Sequence, residues 1–374
     1  MVIVLLVSSI GFAILPSVAA SSSSSGSGGP STLPVTTLVS APPTGGKGPD
    51  DIAVMAVRGL DGGKALVWTA FQNGINPDGT PGTPGGPTQS TVAGYDPSTG
   101  ALVRVIQVTG KVDGLTAFPR VGALIATVNE DDHSAFNLVF PAIGAVTTFA
   151  YSPDPAVSGN GGTDSIALVG GSIYVAHSNP SDVMQPTDYL VSLQRSTPTL
   201  TANLSPVFYD NSMATNALTG AAVQLALTDP DTNFAMPKQS PVFAGDLATV
   251  SQADGEIVFA SHLGHNPQLT VLPLTDNIAG NVPPIDGLAV ATSNSGTLYV
   301  VDAAAGTIQA LDTTGWAAGT VFVGEPSDNG NPIVGTLNLS TGVITPLGNT
   351  FQSPKGLFFV PSAGSIGDSG GLAP

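Results

Sequence analysis

Cysteine is absent from this chain, and basic residues are scarce. The lack of cysteine in 374 residues excludes disulfides, thiolate nucleophiles, iron–sulfur clusters and covalently attached c-type haem. Nine Lys and Arg stand against 26 Asp and Glu, giving a formal net charge of −17 at pH 7. Such a chain has little basic charge with which to neutralise a phosphate backbone, so we expect neither nucleic acid nor an anionic membrane surface as a partner. The acidic balance serves solubility or attracts cations.

Helical periodicity is also missing, and charged residues make up only 9% of the chain. Hydrophobic residues make up 42%, which is too many for a charge-rich disordered chain. From residue 34 onward, short apolar and β-branched segments alternate with turns rich in Gly, Pro, Asp, Asn and Ser. This pattern predicts an all-β protein.

The first 20 residues predict a signal peptide and therefore an extracellular, secreted protein. They are mostly apolar and end in the small residues Ser17-Val18-Ala19-Ala20. The apolar segment is too short for a stable membrane span. No Lys or Arg precedes Lys47, so the basic start of a signal peptide is missing. The alternative is a retained apolar segment that assembles the protein into a fibre or surface layer.

A motif in which an acid is followed by an apolar residue recurs along the chain. Its copies are Asp50-Asp51-Ile52-Ala53, Asp113-Gly114-Leu115-Thr116, Asp164-Ser165-Ile166-Ala167, Asp246-Leu247-Ala248 and Asp286-Gly287-Leu288-Ala289, and Lys355-Gly356-Leu357-Phe358 has a base in place of the acid. A strongly apolar segment usually follows within about a dozen residues. These are ALVWTAF (65–71), ALIATV (123–128), IYVAH (173–177), EIVFASH (256–262) and TLYVVD (297–302). TVFVGE (320–325) is a further apolar segment without the acidic motif before it.

The repeat predicts a β-propeller, because neighbouring blades bury both faces of each blade and make its inner strands continuously apolar. The copies lie 41 to 81 residues apart, against about 40 to 50 for a four-stranded blade. The prediction is six blades of four antiparallel strands, with five or seven as alternatives. A pair of β-sandwiches is the other architecture, but it would not require six copies of the motif.

The predicted organisation follows from these segments. A signal peptide or apolar segment (1–20) is followed by a Ser/Gly/Pro-rich linker with a candidate closing strand (21–47), the propeller (48–362) and a flexible tail (363–374).

The pattern D-G-L-A followed by L-Y-V-x-D resembles the six-bladed propellers of the NHL and SMP-30 (gluconolactonase-like) type. The resemblance covers most of residues 48–362. It implies that the two ends of the chain share one blade, with 355–361 and 33–39 as the candidate strands. Its implication for activity is weaker, because proteins of this fold include hydrolases, lyases and binding modules.

In a propeller, the start of the innermost strand and the end of the second strand lie on one face. This geometry predicts that five motif acids and Lys355 surround one channel mouth. All four histidines of the chain follow predicted second strands, and Glu130 follows one too. Carboxylate and imidazole groups together can bind a divalent cation or transfer protons. Each Asp can instead cap a turn by accepting backbone N–H bonds.

A bound divalent cation is the resulting cofactor prediction, with Ca²⁺ first and Mg²⁺, Mn²⁺ or Zn²⁺ next. The candidate ligands are three motif acids, one acid after a second strand and two histidines: Asp113, Asp164, Asp286, Glu130, His177 and His262. Like charges in one mouth raise each other's pKa unless a cation or the Lys355 ammonium relieves them.

Three functions are compatible with the sequence. The first is a secreted binding or scaffold module for an extracellular ligand or protein partner, because no complete catalytic constellation is present. The second is a metal-dependent, lactonase-like hydrolase, with Glu130, Asp164 and Asp286 as the first residues to test. The resemblance does not supply that family's metal ligands residue by residue, and Lys355 occupies one ring position. The third is a self-assembling subunit of a fibre or surface layer.

Overall fold

The chain folds almost entirely into β-strands, which we describe from a computed structural model. The structure describes residues 32–39, 43, 46–156, 161–178, 185–196, 199–264, 266–276, 282–327 and 331–362. The predicted signal peptide, most of the predicted linker, the predicted tail and His265 lie outside these residues. Within them, no helix is long and apolar enough to cross a membrane.

The described strands are short, and two 3₁₀ turns at Asp61–Gly63 and Pro119–Val121 complete the regular structure. In chain order the strands are β1 (Val35–Val39), β2 (Pro49–Ala56), β3 (Ala65–Phe71), β4 (Gln89–Tyr95), β5 (Leu102–Thr109), β6 (Val112–Phe118), β7 (Ala123–Val128), β8 (Ala135–Phe140), β9 (Ala145–Ser152), β10 (Thr163–Val169), β11 (Ser172–His177), β12 (Pro186–Ser196), β13 (Thr199–Tyr209), β14 (Met213–Asn216), β15 (Ala222–Gln224), β16 (Pro230–Ala235), β17 (Leu247–Ser251), β18 (Glu256–Ser261), β19 (Gln268–Pro273), β20 (Gly287–Val290), β21 (Gly296–Asp302), β22 (Thr307–Asp312), β23 (Val321–Glu325), β24 (Ile333–Asn338), β25 (Val343–Pro346) and β26 (Pro354–Pro361).

The strand order divides into units of four antiparallel strands, which we call blades and write from the inner to the outer strand. Blade I is β2-β3-β4-β5, blade II is β6-β7-β8-β9 and blade III is β10-β11-β12-β13. Blade IV is β16-β17-β18-β19, blade V is β20-β23-β24-β25 and blade VI is β26-β21-β22-β1. Parallel pairs link β9 to β13 and β14 to β19. The fold is therefore an all-β propeller, as predicted.

The inner strands surround a channel, and each packs against the next in the order β2, β6, β10, β16, β20, β26 and back to β2. Hydrophobic clusters fill the spaces between neighbouring blades. Between blades I and II, for example, the fully buried Trp68 packs with Leu115 and Leu124. This packing on both faces of each sheet explains why the second strands are continuously apolar.

Blade VI joins the two ends of the described chain. Its outer strand β1 pairs antiparallel with β22, with Val35 opposite Leu311, and its inner strand is β26. The two terminal segments that the resemblance paired, 33–39 and 355–361, do lie in one sheet. The side chain of Leu33 packs into the cluster between blades V and VI.

Two strand assignments from the sequence are wrong. The segment TLYVVD (297–302) does not follow β20 into its blade, because β21 pairs with β26 in blade VI. The partner of β20 is instead β23, with Gly287 opposite Gly324. The apolar segment without an acidic motif, 320–325, thus belongs to the Asp286 motif. Both segments are equally apolar, so only the packing between blades distinguishes them.

The second wrong assignment concerns Asp246-Leu247-Ala248, whose motif predicts the start of an inner strand. Leu247 begins β17, a second strand, and the inner strand of blade IV is β16. The sequence gives no apolar signal for β16, because its residues, PDTNFA, are mostly polar or small. This composition is possible because β16 lines the channel rather than being buried on both sides.

Candidate functional site

The candidate site is the end of the channel where the inner strands begin, which we call the mouth. Each of the six inner strands contributes one charged residue at nearly the same position, close to where the strand begins. We call these six residues the ring: Asp50, Asp113, Asp164, Asp231, Asp286 and Lys355. Glu130, just after the second strand β7, and Lys111, just before β6, complete the group. Predicted residues Asp113, Asp164, Asp286 and Glu130 therefore come together here.

Asp246 and the three described histidines, His133, His177 and His262, are not part of this group. His262 follows the third strand β18 and lies near Asp246, at the end of blade IV opposite the mouth. His177 ends β11 and is fully buried, with its Nδ1 2.9 Å from the carbonyl oxygen of Pro186. Its ring packs edge-on against Tyr189. His133 is exposed beside Asp132. Among the described residues, the side chains that line the mouth therefore include carboxylates and lysines but no imidazole.

Lys355, in blade VI, bridges the ring carboxylates of the two blades on either side of it, I and V. Its Nζ lies 3.0 Å from Asp50 Oδ1 and 2.7 Å from Asp286 Oδ2. Burial alone would lower the pKa of Lys355, but Asp286, Asp50 and Asp231 together hold that pKa well above its usual value. The base that departs from the acidic motif is therefore a fixed counter-ion for its neighbours.

Lys111 plays the same part for a second pair. Its Nζ lies 2.7 Å from Asp113 Oδ1 and also contacts Glu130 Oε1. Burial would lower the pKa of Lys111, but Asp113 and Glu130 raise it above its ordinary value. Lys111 is not among the residues predicted from the sequence; its position two residues before the motif acid is the signal that could have found it.

Asp164 and Asp231 form a third pair, but within the described chain neither makes an ion pair with a basic side chain. Their carboxyl groups are hydrogen-bonded to each other, and Asp164 is also hydrogen-bonded to Glu130. Two carboxyl groups can share a hydrogen bond only if one carries a proton. Asp231 is not among the predicted site residues either, because the residues around it are mostly polar or small and do not indicate an inner strand.

The pKa values of these groups follow from burial and crowding. Burial raises the pKa of Asp231 to about 7. Burial, with the charges of Asp231 and Glu130, raises the pKa of Asp164 well above its usual value. Burial also acts to raise the pKa of Glu130, but the Lys111 ammonium outweighs it and lowers that pKa. The mouth therefore contains protonated and ionised carboxyl groups side by side.

The glycine of the D-G-L motif has a packing role. A Cβ on Gly287 would lie 2.1 Å from the carbonyl oxygen of Lys355 in the next blade, and one on Gly356 would lie 2.8 Å from that of Asp50. Glycine therefore lets neighbouring inner strands approach closely enough to bring the ring side chains together. The recurring motif therefore supplies both the charged residue of the ring and the glycine that allows neighbouring inner strands to pack closely.

Two connected spaces border the ring. The upper chamber, at the mouth, has a volume of about 440 Å³, and its wall includes Lys111, Glu130, Thr228 and Gln252. The lower chamber, within the channel, has a volume of about 450 Å³, and its wall is mainly apolar. Asp50, Asp113, Asp164 and Asp231 border both chambers.

A preformed metal site does not fit these residues. In the described part of the chain, no three His, Cys, Asp or Glu side chains are grouped so that they could hold a metal ion. The ring acids are instead engaged with two ammonium groups and with each other. An inorganic cation would have to displace a lysine or protons, so the metal-ligand prediction for these acids stays a prediction.

Comparison with known proteins gives remote structural similarity only. No protein-family model matches the chain, and no curated protein matches it. A streptogramin B lyase structure is similar over 87% of this chain and 91% of its own, at 13% identity and a TM-score of 0.43. The periplasmic gluconolactonase of Pseudomonas aeruginosa is similar over 83% of this chain and 88% of its own, at 13% identity and a TM-score of 0.44. At these values the fold rests on the strand order itself, and the function has to be argued from the mouth.

Proposed function

We propose that this protein is an extracellular β-propeller binding module whose mouth takes up a cation in exchange for protons. The extracellular setting depends on the signal peptide predicted for residues 1–20. The proposal of a cation rests on one observation: the buried Asp164 and the partly buried Asp231 are hydrogen-bonded to each other through their carboxyl groups. Among the described residues, neither forms an ion pair with an ammonium group. The two other carboxyl pairs of the mouth each have a lysine.

The charge balance of the mouth supports this proposal. Its carboxyl groups are those of the five ring Asp, Glu130, Asp131 and Asp229, and its ammonium groups are those of Lys111 and Lys355. Burial raises the pKa of Asp231 to about 7, so the unliganded pair holds a proton near neutral pH. A cation beside the pair would stabilise its ionised form and release that proton. The net charge of −17 would also attract cations toward the protein.

A cation titration at two pH values tests the proposal. We expect cations, with Ca²⁺ as the first inorganic probe and ethylammonium as the first organic one, to raise the melting temperature at pH 8. At pH 5.5 we expect binding at least about tenfold weaker, because the protonated pair has to lose its proton first. Calorimetry in two buffers of different ionisation enthalpy should show proton release between pH 6 and 7.

Matched variants locate the effect. Asp231→Asn should abolish the pH dependence and most of the binding. Asp312→Asn, at an exposed turn where the carboxylate accepts a hydrogen bond from Thr314, should change neither. The proposal fails if no cation shifts the melting temperature or releases protons at pH 8.

A hydrolase is the second candidate, favoured by the opposite pKa shifts of two hydrogen-bonded carboxyl groups, those of Glu130 and Asp164. Glu130 has a lowered pKa and Asp164 a raised one, which supplies a proton acceptor beside a proton donor. A lactone is the substrate class to try first. Glu130→Gln should then reduce hydrolysis by at least about 100-fold without changing the melting temperature by more than a few degrees. Equal rates for the variant and the original protein would reject this candidate.

A further inference from the structure

The lower chamber is an apolar space directly beneath a ring of carboxyl groups. Its wall includes Val54, Ala117, Leu168, Phe234 and Phe358, all from inner strands. These side chains are only partly buried, although side chains in the clusters between the blades are almost fully buried. Apolar surface that stays open to a narrow channel gains free energy when an apolar group covers it.

Carboxylate oxygens that lack hydrogen bonds lie at the boundary between the two chambers. Asp113 is 5% exposed, and within the described chain its Oδ2 has no hydrogen-bond partner. The Oδ2 of Asp231 is also inaccessible, and apart from the carboxyl group of Asp164 the same residues offer it no hydrogen-bond partner. Both residues border both chambers. Buried acceptors of this kind call for a donor, and a donor carrying positive charge satisfies them best.

The lysines already show which donor the mouth accommodates. Lys111 and Lys355 each place a primary ammonium group between two carboxylates. Each ammonium has three hydrogens to donate and sits at the end of an apolar stem. Within the described chain, Asp164 and Asp231 differ from the other two carboxyl pairs in having no ammonium group between them. The lower chamber, which these two residues also border, can enclose the stem.

We propose that the ligand is a primary amine with a linear apolar tail. Its ammonium group binds between Asp164 and Asp231, and its tail occupies the lower chamber along Leu168 and Phe234. This inference rests on the proposed function and makes it specific. A bare metal ion would leave the apolar wall uncovered, and an uncharged apolar molecule would leave the buried carboxyl oxygens without a donor.

A homologous series of amines tests the inference by calorimetry at pH 8 and about 150 mM KCl. The probes are ethylammonium, n-butylammonium and n-hexylammonium, with 1-hexanol and hexanoate as uncharged and anionic counterparts. We expect each added methylene to tighten binding about threefold, so that hexylammonium binds about 80-fold tighter than ethylammonium. Hexanol should bind at least about 100-fold more weakly than hexylammonium, because it brings no charge, and hexanoate should not bind.

Variants separate the head from the tail. Asp231→Asn should weaken all three amines by a similar factor. Leu168→Ser should weaken hexylammonium but not ethylammonium, and Leu218→Ser, an exposed leucine, should weaken neither. If Leu168→Ser lowers the melting temperature too far for the titration, Phe358→Ser tests the same wall.

The outcomes distinguish this inference from the proposed function. If ethylammonium or Ca²⁺ binds but a longer tail brings no gain, the amine with an apolar tail is rejected and the cation-binding mouth stands. If hexanol binds as tightly as hexylammonium, the ammonium contact is rejected. If no cation binds at all, both proposals fail.

Discussion

The ligand-free protein should become less stable as the pH rises from 4 to 8, which is opposite to the usual behaviour of a protein rich in carboxylates. Several buried or partly buried acids have raised pKa values, and desolvation brings the pKa of Asp51, Asp188 and Asp231 to about 7. Between the unfolded value of 3.8 and this folded value, the native state holds a proton that the unfolded state has lost. Native stability therefore falls as the pH rises through this window and is constant below about pH 4.

Asp188 is the cleanest test of this dependence, because it lines neither chamber of the channel. It is fully buried and accepts hydrogen bonds from Asn233 Nδ2 at 2.5 Å and from Thr249 Oγ1 at 2.6 Å. Its ionisation should contribute a slope of about 1.4 kcal/mol per pH unit, so about 4 kcal/mol is lost between pH 4 and 8. In urea unfolding, we expect the free energy of unfolding of the original protein to decrease accordingly.

The Asp188→Asn variant should remove this contribution. Asn is neutral at every pH, so the variant should be more stable than the original protein at pH 8. At pH 4.5 it should be equal or about 1 kcal/mol less stable, because one hydrogen bond changes its donor. Asp312→Asn, at an exposed turn, is the control and should leave the pH profile unchanged. A variant as pH-dependent as the original protein would show that Asp188 is ionised in the native state.

Replacing Lys355 with Met should strongly destabilise the protein at pH 8, because it leaves two carboxylates without their counter-ion. The ammonium lies between Asp50 and Asp286, whose side chains are each 11% exposed. Removing one partner of a fully buried pair costs about 3–5 kcal/mol. The Lys355 side chain is 28% exposed, so we expect a loss of about 2–3 kcal/mol at pH 8.

The loss should shrink at low pH, and this distinguishes charge from packing. Burial and the charge of Asp231 already raise the pKa of Asp286 well above its usual value, and without Lys355 that pKa rises further. At pH 5 the carboxyl group is then neutral and needs no ammonium, so the loss should fall to about 1 kcal/mol. Lys64→Met, at a lysine 66% exposed, should change stability by less than about 1 kcal/mol at either pH. An equal loss at both pH values would assign the role of Lys355 to packing.

The sequence by itself determined the class of fold and much of the site. Apolar segments with alternating turns indicated an all-β chain, and the recurring acid indicated where most inner strands begin. Asp113, Asp164, Asp286 and Lys355 were placed at one mouth on this basis, and the structure brings them together. These features are readable because they are local: the acid, the close-packing glycine and the apolar residue follow one another in the chain.

Only the tertiary structure decided the rest, because it depends on contacts between distant segments. Strands β21 and β23 are alike in composition, and their partners are set by packing between blades V and VI. Asp231 reaches the ring from a polar strand that has no apolar signature, while His262 is carried to the opposite face. The mouth predicted from sequence was a ring of acids with histidines. Among the described residues, the folded mouth contains two ammonium groups and one carboxyl pair without its own cation. The sequence does not reveal this arrangement, because the packing of side chains from different blades decides which charged groups lie next to each other.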